Sequence, residues 1–239
     1  MLILEGEKVT RYFGGLAALH QVDFDIQQGE VVGLIGPNGA GKTTLFNLIS
    51  GSLPTTGGEI RYKGKKITGL KPHQICKRGV ARTFQSAKLF AGLTVFENVL
   101  AASLFGTKRA ISVPDAEKEA TELLEFVELS KVREMLAKDL PIAYRKRLEV
   151  ARALATKPDL LMFDEVMAGL NPAEVFQAID LVIKIRNNGI TIFMIEHVMK
   201  AIMSICDRII VLHHGSKIAE GTPEEIAASR TVIEVYLGE

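Results

Sequence analysis

Gly36-Pro37-Asn38-Gly39-Ala40-Gly41-Lys42-Thr43-Thr44 stands between two apolar runs, Val31-Val32-Gly33-Leu34-Ile35 before it and Leu45-Phe46-Asn47-Leu48-Ile49 after it. The order reads strand, glycine-rich turn, helix, with the spacing G-x-x-x-x-G-K-[ST], which is the context a phosphate-binding loop requires. Glycines at 36, 39 and 41 let successive backbone N–H groups curl round an anion, and the following helix N-terminus adds partial positive charge. Lys42 is spaced to reach the β and γ phosphates of a nucleotide, and Thr43 to ligate Mg²⁺. A plain glycine turn that happens to carry a lysine would require neither the full spacing nor the strand-to-helix setting. The candidate nucleotide contacts here are Gly36, Asn38, Gly39, Ala40, Gly41, Lys42, Thr43 and Thr44.

Working outward, 239 residues at 47% hydrophobic content can bury one sizeable core with a smaller lobe attached, which fits a single α/β domain carrying an insertion. Lys and Arg number 29 against 28 Asp and Glu, a formal net charge of +1, so no bulk field favours nucleic acid or an acidic surface. The start, Met1-Leu2-Ile3-Leu4-Glu5-Gly6-Glu7, has no basic region before a long apolar run, and no later stretch approaches about 18 uninterrupted apolar residues. The expectation is a cytosolic chain whose membrane role, if any, runs through local contacts. Cys76 and Cys206 lie far apart with no C-x-x-C pair or histidine cluster, and read as core thiols.

From Leu2 to Ile26 the pattern is strand-like, with Val22, Phe24 and Ile26 alternating against Gln21, Asp23 and Asp25. Short strands follow at Glu59 to Tyr62 and at Gly79 to Phe84. Between Gln85 and about Leu140 helical spacing takes over: Thr94-Val95-Phe96-Glu97 is a capping box, and Ala116, Ala120, Leu123, Leu124 and Val127 recur as on one helix face. Leu148 to Ala155 is helical until Pro158, and Leu160-Leu161-Met162-Phe163 is apolar throughout, as suits a strand inside a parallel sheet. Asn171-Pro172-Ala173-Glu174 caps a helix to about Asn188. Strands at Ile190 to Ile195 and Arg208 to Leu212 flank a further helix, and Thr222-Pro223-Glu224-Glu225 caps the closing helical segment.

Asp164 and Glu165 fall at the carboxyl end of a buried strand, the edge of an open α/β sheet where ligands gather. Asp164 suits the Mg²⁺ shell, and Glu165 suits orienting or deprotonating an attacking water. His197, after the strand Thr191 to Ile195 and Glu196, is placed to sense the γ phosphate, although a lone histidine is more often structural. Gln85 sits where α/β gives way to helices, between the metal site and the helical lobe.

Taken in order, the loop at 36 to 44, Arg82-Thr83-Phe84-Gln85, Phe163-Asp164-Glu165, Ala168-Gly169-Leu170-Asn171 and Ile195-Glu196-His197 resemble the ATP-binding cassette family from end to end. The resemblance implies a single domain over 1–239: a P-loop NTPase, RecA-like core with an antiparallel β subdomain over about 1–85 and 156–239, and a helical subdomain over about 86–155. It implies ATP and Mg²⁺ as ligands, with Lys42, Glu165 and His197 catalytic and Thr43, Gln85 and Asp164 toward the metal. Phe13, or Tyr12 beside it, would stack on adenine. Partners implied are membrane permease subunits, a second cassette and a separate substrate-binding protein, with no nucleic acid and a peripheral place on the cytoplasmic face of the membrane.

The family signature Leu-Ser-Gly-Gly-Gln is replaced here by Leu140-Pro141-Ile142-Ala143-Tyr144. In the family this segment reaches the γ phosphate held by the partner cassette. Pro141 has neither hydroxyl nor N–H, so two donors are lost, while Ala143 keeps its N–H and the helix dipole remains. The basic run Arg145-Lys146-Arg147 behind it reads as a charged helix face. The segment Ser86 to Leu100, Ala168-Gly169-Leu170-Asn171-Pro172 and the ending Tyr236-Leu237-Gly238-Glu239 resemble the subfamily serving branched-chain amino acid importers. Alternatives are the ATPase of a lipid or lipopolysaccharide exporter, a DNA-repair cassette, which would need a long heptad insertion, a translation-associated cassette, which would carry two phosphate loops, and a small-molecule kinase, which would leave Gln85 and His197 unexplained.

Overall fold

The computed structural model describes residues 1–84, 88–107 and 110–237. The chain opens with an antiparallel hairpin, β1 (Leu2–Phe13) and β2 (Leu16–Gln27), and passes through β3 (Val31–Ile35) into α1 (Lys42–Ile49). β4 (Gly57–Tyr62) and β5 (Lys65–Lys66) return to the hairpin, then α2 (Pro72–Cys76) leads to β6 (Val80–Arg82). Three helices follow, α3 (Val95–Phe105), α4 (Val113–Phe126) and α5 (Ile142–Ala155). The chain then alternates β7 (Leu160–Asp164), α6 (Pro172–Asn187), β8 (Thr191–Ile195), α7 (Met199–Ile205) and β9 (Arg208–His213), and closes with β10 (Ser216–Gly221), α8 (Pro223–Ala228) and α9 (Arg230–Leu237). Among the described residues the strands form two sheets, in the orders β2-β1-β4-β5 and β10-β9-β3-β8-β7-β6.

The larger sheet is parallel except at its β10 edge and is covered on both faces, which is why its central strands read as unbroken apolar runs. Alternate residues go to opposite cores, as the period of two demands. Leu161, Phe163, Ile192, Met194, Ile209 and Val211 join the core shared with α3 to α7. Leu160, Met162, Phe193, Ile195, Ile210 and Leu212 join a second core with α1 and the hairpin, including Phe46 and Phe24. Each fully buried side chain of this size is worth about 1.5–3 kcal/mol.

Several boundaries differ from the sequence expectation. The helix read from Leu148 begins at Ile142, with Pro141 as N-cap, because a proline at that point lacks an N–H the helix would not use in any case. Gly79 to Phe84 is a strand only over Val80–Arg82, where β7 offers partners, and the short α2 carries no apolar periodicity that would have announced it. Arg145 to Arg147 are only in part a solvated face, with Arg145 exposed and Arg147 half-buried. Lys146 is buried, Arg145 donates to the carbonyls of Leu140 and Lys138, and Arg147 donates to the Val127 carbonyl and pairs with Glu128. The Thr94 and Asn171 capping boxes are present, with Glu97 and Glu174 returning the bond in each. Cys206 is buried and Cys76 half-buried, both as free thiols. Among the described residues, no helix is long and apolar enough to cross a membrane.

Asn98, fully buried on α3, holds the loop that enters the helical segment: Oδ1 accepts from the Phe90 N–H at 2.9 Å, and Nδ2 donates to the carbonyls of Phe90 at 3.0 Å and Thr94 at 2.9 Å. Truncation would leave those backbone groups unsatisfied. Asn98→Ala should lower unfolding free energy by about 3 kcal/mol, read as a shifted urea midpoint at unchanged m-value.

Candidate functional site

Parallel pairing brings the loops after β3, β7 and β8 to one edge, since Leu34 and Asp164 are both register partners of Ile195. The phosphate-type loop leaves β3 with positive φ at Gly36 (148°), Gly39 (79°) and Gly41 (104°). At two of these the reason is close approach: a Cβ on Gly36 would meet the Leu212 carbonyl at 2.1 Å, and one on Gly41 the Ala18 carbonyl at 2.6 Å. The same packing sets the hairpin beside the loop, and Gly215 joins them, donating to Ala40 O at 3.0 Å and accepting from His20 N at 2.8 Å. Phe13 and Tyr12 lie at the exposed end of that hairpin; Arg11 stacks over Phe13 at 4.6 Å, and the Tyr12 hydroxyl meets His20 Nδ1 at 3.3 Å.

Lys42 begins α1 and is buried, with Nζ donating to Gly36 O at 2.6 Å and Pro37 O at 3.0 Å. Burial pulls its pKa below the usual lysine value, and the charges of Glu165 and Asp164 oppose that shift, which puts both carboxylates within its field. Thr43 is exposed at the start of the same helix, and Thr44 half-buried beside it.

Asp164 is buried at the end of β7. Its N–H donates to Thr83 Oγ1 at 3.1 Å, and Oδ2 accepts from Arg82 at 2.6 Å. Its Oδ1 is buried without a hydrogen-bond partner, and an orphaned carboxylate oxygen is a donor that suits a hard divalent cation. Glu165 adopts a left-handed φ of 52°. Its N–H donates to Ile195 O at 2.9 Å, its carbonyl accepts from Lys146 Nζ at 2.8 Å, and its Oε1 lies 3.0 Å from His197 Nε2. Lys42, Asp164, Glu165 and His197 therefore converge. Gln85 lies outside the described residues.

Pro141, Ile142 and Tyr144 are exposed and Ala143 half-buried at the N-terminus of α5, on the same chain's surface, with no side-chain cap for the helix amides. Lys146, one turn on, ties this helix to the Glu165 backbone. The sequence pattern assigns Glu196 no role of its own. It is buried, and its Oε1 accepts from Met167 N at 2.7 Å, clamping the turn after β7 to the turn after β8. A carboxylate between an apolar strand and a histidine is a signal that could have drawn attention to it, as could the charge of Arg82 at the end of a buried strand.

A family model for ABC transporters matches residues 19–168, and one for the branched-chain amino acid ATP-binding cassette transporter matches residues 216–239. The chain is 42% identical to the high-affinity branched-chain amino acid transport ATP-binding protein BraF of Pseudomonas aeruginosa, over 99% of this chain and 98% of that protein. Among solved structures, the ADP conformation of MJ1267, an ATP-binding cassette of an ABC transporter, matches with a TM-score of 0.90 at 33% identity over the whole of both chains. The dimeric post-hydrolysis state of the cassette MJ0796, bound to ADP and Pi, matches with a TM-score of 0.84 at 27% identity over 92% of this chain and 99% of that one.

Burial pushes the Glu196 carboxyl up to about 7, against the bonds from the Met167 and His197 N–H groups and the charge of Lys146. Between the ordinary glutamate value and about 7 the folded chain binds a proton that the unfolded chain has released, so stability falls as pH rises through that window. Glu196→Gln keeps an acceptor for Met167 and removes the titration. Its stability advantage over the parent should grow by about 3 kcal/mol between pH 4.5 and 8, measured by chemical denaturation at each pH.

Proposed function

Since the chain belongs to the ATP-binding cassette family of transporter ATPases, whose members hydrolyse ATP to energise transport, we propose that it powers an importer of branched-chain amino acids. The observation that carries this reading is the match of residues 216–239, beyond the segment common to ABC transporters, to the branched-chain amino acid cassettes. On this reading the chain sits at the cytoplasmic face of the membrane, held by permease subunits, with a separate protein delivering the substrate. The exposed Phe90, ahead of α3, belongs to the face offered to the permease.

In the proposed site the backbone N–H groups of Gly36 and of Asn38 to Thr44 surround the phosphates, Lys42 exchanges loop carbonyls for phosphate oxygens, and Phe13 stacks on adenine. Thr43, Gln85 and Asp164 would hold Mg²⁺, which supplies charge neutralisation at the phosphates. Glu165 orients and deprotonates the water that attacks the γ phosphate, and His197, 3.0 Å from its carboxylate, keeps it aimed. The opposite wall of the site comes from the signature of a second cassette. Closure over ATP and reopening after hydrolysis supply the work, because ATP binds the closed pair more tightly.

In a pair of unlike cassettes, this chain's Lys42, Glu165 and His197 would face the partner's signature, and the weakened signature with Pro141 would face the partner's nucleotide. A homodimer would carry the defect at both sites. The chain alone should therefore hydrolyse ATP slowly and speed up when mixed with a cassette bearing an intact Leu-Ser-Gly-Gly-Gln; full activity alone would remove the pairing argument. Glu165→Gln should lower kcat by roughly 100-fold or more while nucleotide binding survives, and near-normal turnover would defeat the assigned base. Co-purification with a hydrophobic permease, and stimulation of the assembled complex by leucine, isoleucine or valine with their binding protein, tests the substrate. A complex stimulated only by a lipid would overturn it.

A further inference from the structure

Arg82 is the point where three segments meet. It ends β6 with its side chain 5% exposed, opposite an Asp164 side chain 1% exposed. Nη2 donates to Asp164 Oδ2 at 2.6 Å, and Nη1 donates to Asn47 Oδ1 at 2.7 Å and Ser50 Oγ at 3.1 Å. The guanidinium lies over the rings of Phe84 at 5.2 Å and Phe46 at 5.6 Å. Its contacts thus reach the helix that begins with Lys42 and Thr43, the strand that ends in Asp164, and the residue directly before Gln85. The first two carry the proposed metal ligands Thr43 and Asp164.

A buried ion pair of this kind is weak evidence for stability alone, since desolvation of both ions offsets most of the attraction and a well-packed apolar pair would serve as well. What a planar guanidinium does that an apolar residue cannot is choose between the two carboxylate oxygens. Arg82 takes Oδ2, and the buried Oδ1 is left without a partner. Asn47 near the end of α1 and Ser50, its C-cap, stop the guanidinium from turning, so the carboxylate plane is set relative to the helix that carries Thr43.

We propose that Arg82 is a positioning residue for the divalent cation: it fixes Asp164 so that Oδ1 faces the metal and holds that oxygen in place relative to α1, which carries Thr43. The inference rests on the reading of Asp164 as a metal residue. Partners that orient a ligand without touching the metal typically change metal affinity by about 10- to 100-fold when lost.

The test is ADP binding by calorimetry, in EDTA and across a series of Mg²⁺ concentrations, for the parent chain, Asp164→Asn, Arg82→Lys, Arg82→Met and Asn47→Ala, each checked by its melting temperature. Arg82→Lys keeps a charge but cannot reach the carboxylate, Asn47 and Ser50 in one plane. It should raise the half-saturating Mg²⁺ concentration about tenfold or more and leave ADP affinity in EDTA unchanged. Asn47→Ala, which preserves the pair with Asp164, should move the same midpoint in the same direction by less. A role confined to folding would lower the melting temperature and leave the midpoint where it was, and that result overturns the proposal. Arg82→Met strands the buried carboxylate, so if it fails to fold the lysine and Asn47 variants decide. If Asp164→Asn itself leaves the Mg²⁺ midpoint unmoved, the metal reading of Asp164 fails; if that variant shifts the midpoint and the Arg82 and Asn47 variants do not, only the role of Arg82 fails.

Discussion

Three parallel strands, β3, β8 and β7, are held in a register that brings their carboxyl ends level, with Leu34 and Asp164 both partnered to Ile195. Everything at the nucleotide edge depends on it. Side chains in a strand alternate faces, so a slip of one residue between β7 and β8 would move Phe163 and Met162 into each other's cores and turn Asp164 away from Arg82. The two cores therefore act as a register lock for the site. The ladder even runs one residue past the strand, since Glu165 N–H still bonds to Ile195 O.

Behind that edge lies a layer of buried charge that serves neither core. Arg82, Lys146, Glu149, Asp164 and Glu196 are all largely shielded from water, and each has a partner on a different segment. Glu149, on α5, accepts from the Phe84 N–H at 2.7 Å, and burial raises its pKa. Lys146, on the same helix, bonds the Glu165 carbonyl. The helix that begins with the altered signature is thus attached directly to the end of β7 and to the chain just before Gln85. Hydrogen bonds in a low-dielectric interior are stiff and costly to break, so these ties join the helical segment to the sheet more firmly than surface ion pairs would.

What could be read from the sequence was what is local. The phosphate-type loop declares itself through glycine spacing and its strand-to-helix setting, the caps at Thr94 and Asn171 through a reciprocal glutamate three residues on, and the central strands through unbroken apolar runs. The acidic and histidine residues at strand ends were visible for the same reason. What escaped was what depends on distant partners. Arg82 meets Asp164 across 82 positions, Glu196 meets Met167 across 29, and Asn98 closes a loop through backbone groups that no side-chain pattern reveals. A run of three basic residues looks solvated in the sequence, and only tertiary packing buries the middle one, Lys146, and bonds it to the Glu165 carbonyl just after β7.

Glu165 occupies a left-handed backbone conformation that costs a branched or long side chain about 1 kcal/mol relative to glycine. Both of its backbone groups are fastened, the N–H to Ile195 and the carbonyl to Lys146, so the turn cannot relax around it. Glycine at this one position would relieve the conformation and discard the carboxylate. On the proposed role of Glu165 as the base, the site and the thermostability of the chain pull in opposite directions here, and a laboratory selection for heat resistance alone would drift toward a folded protein without that base.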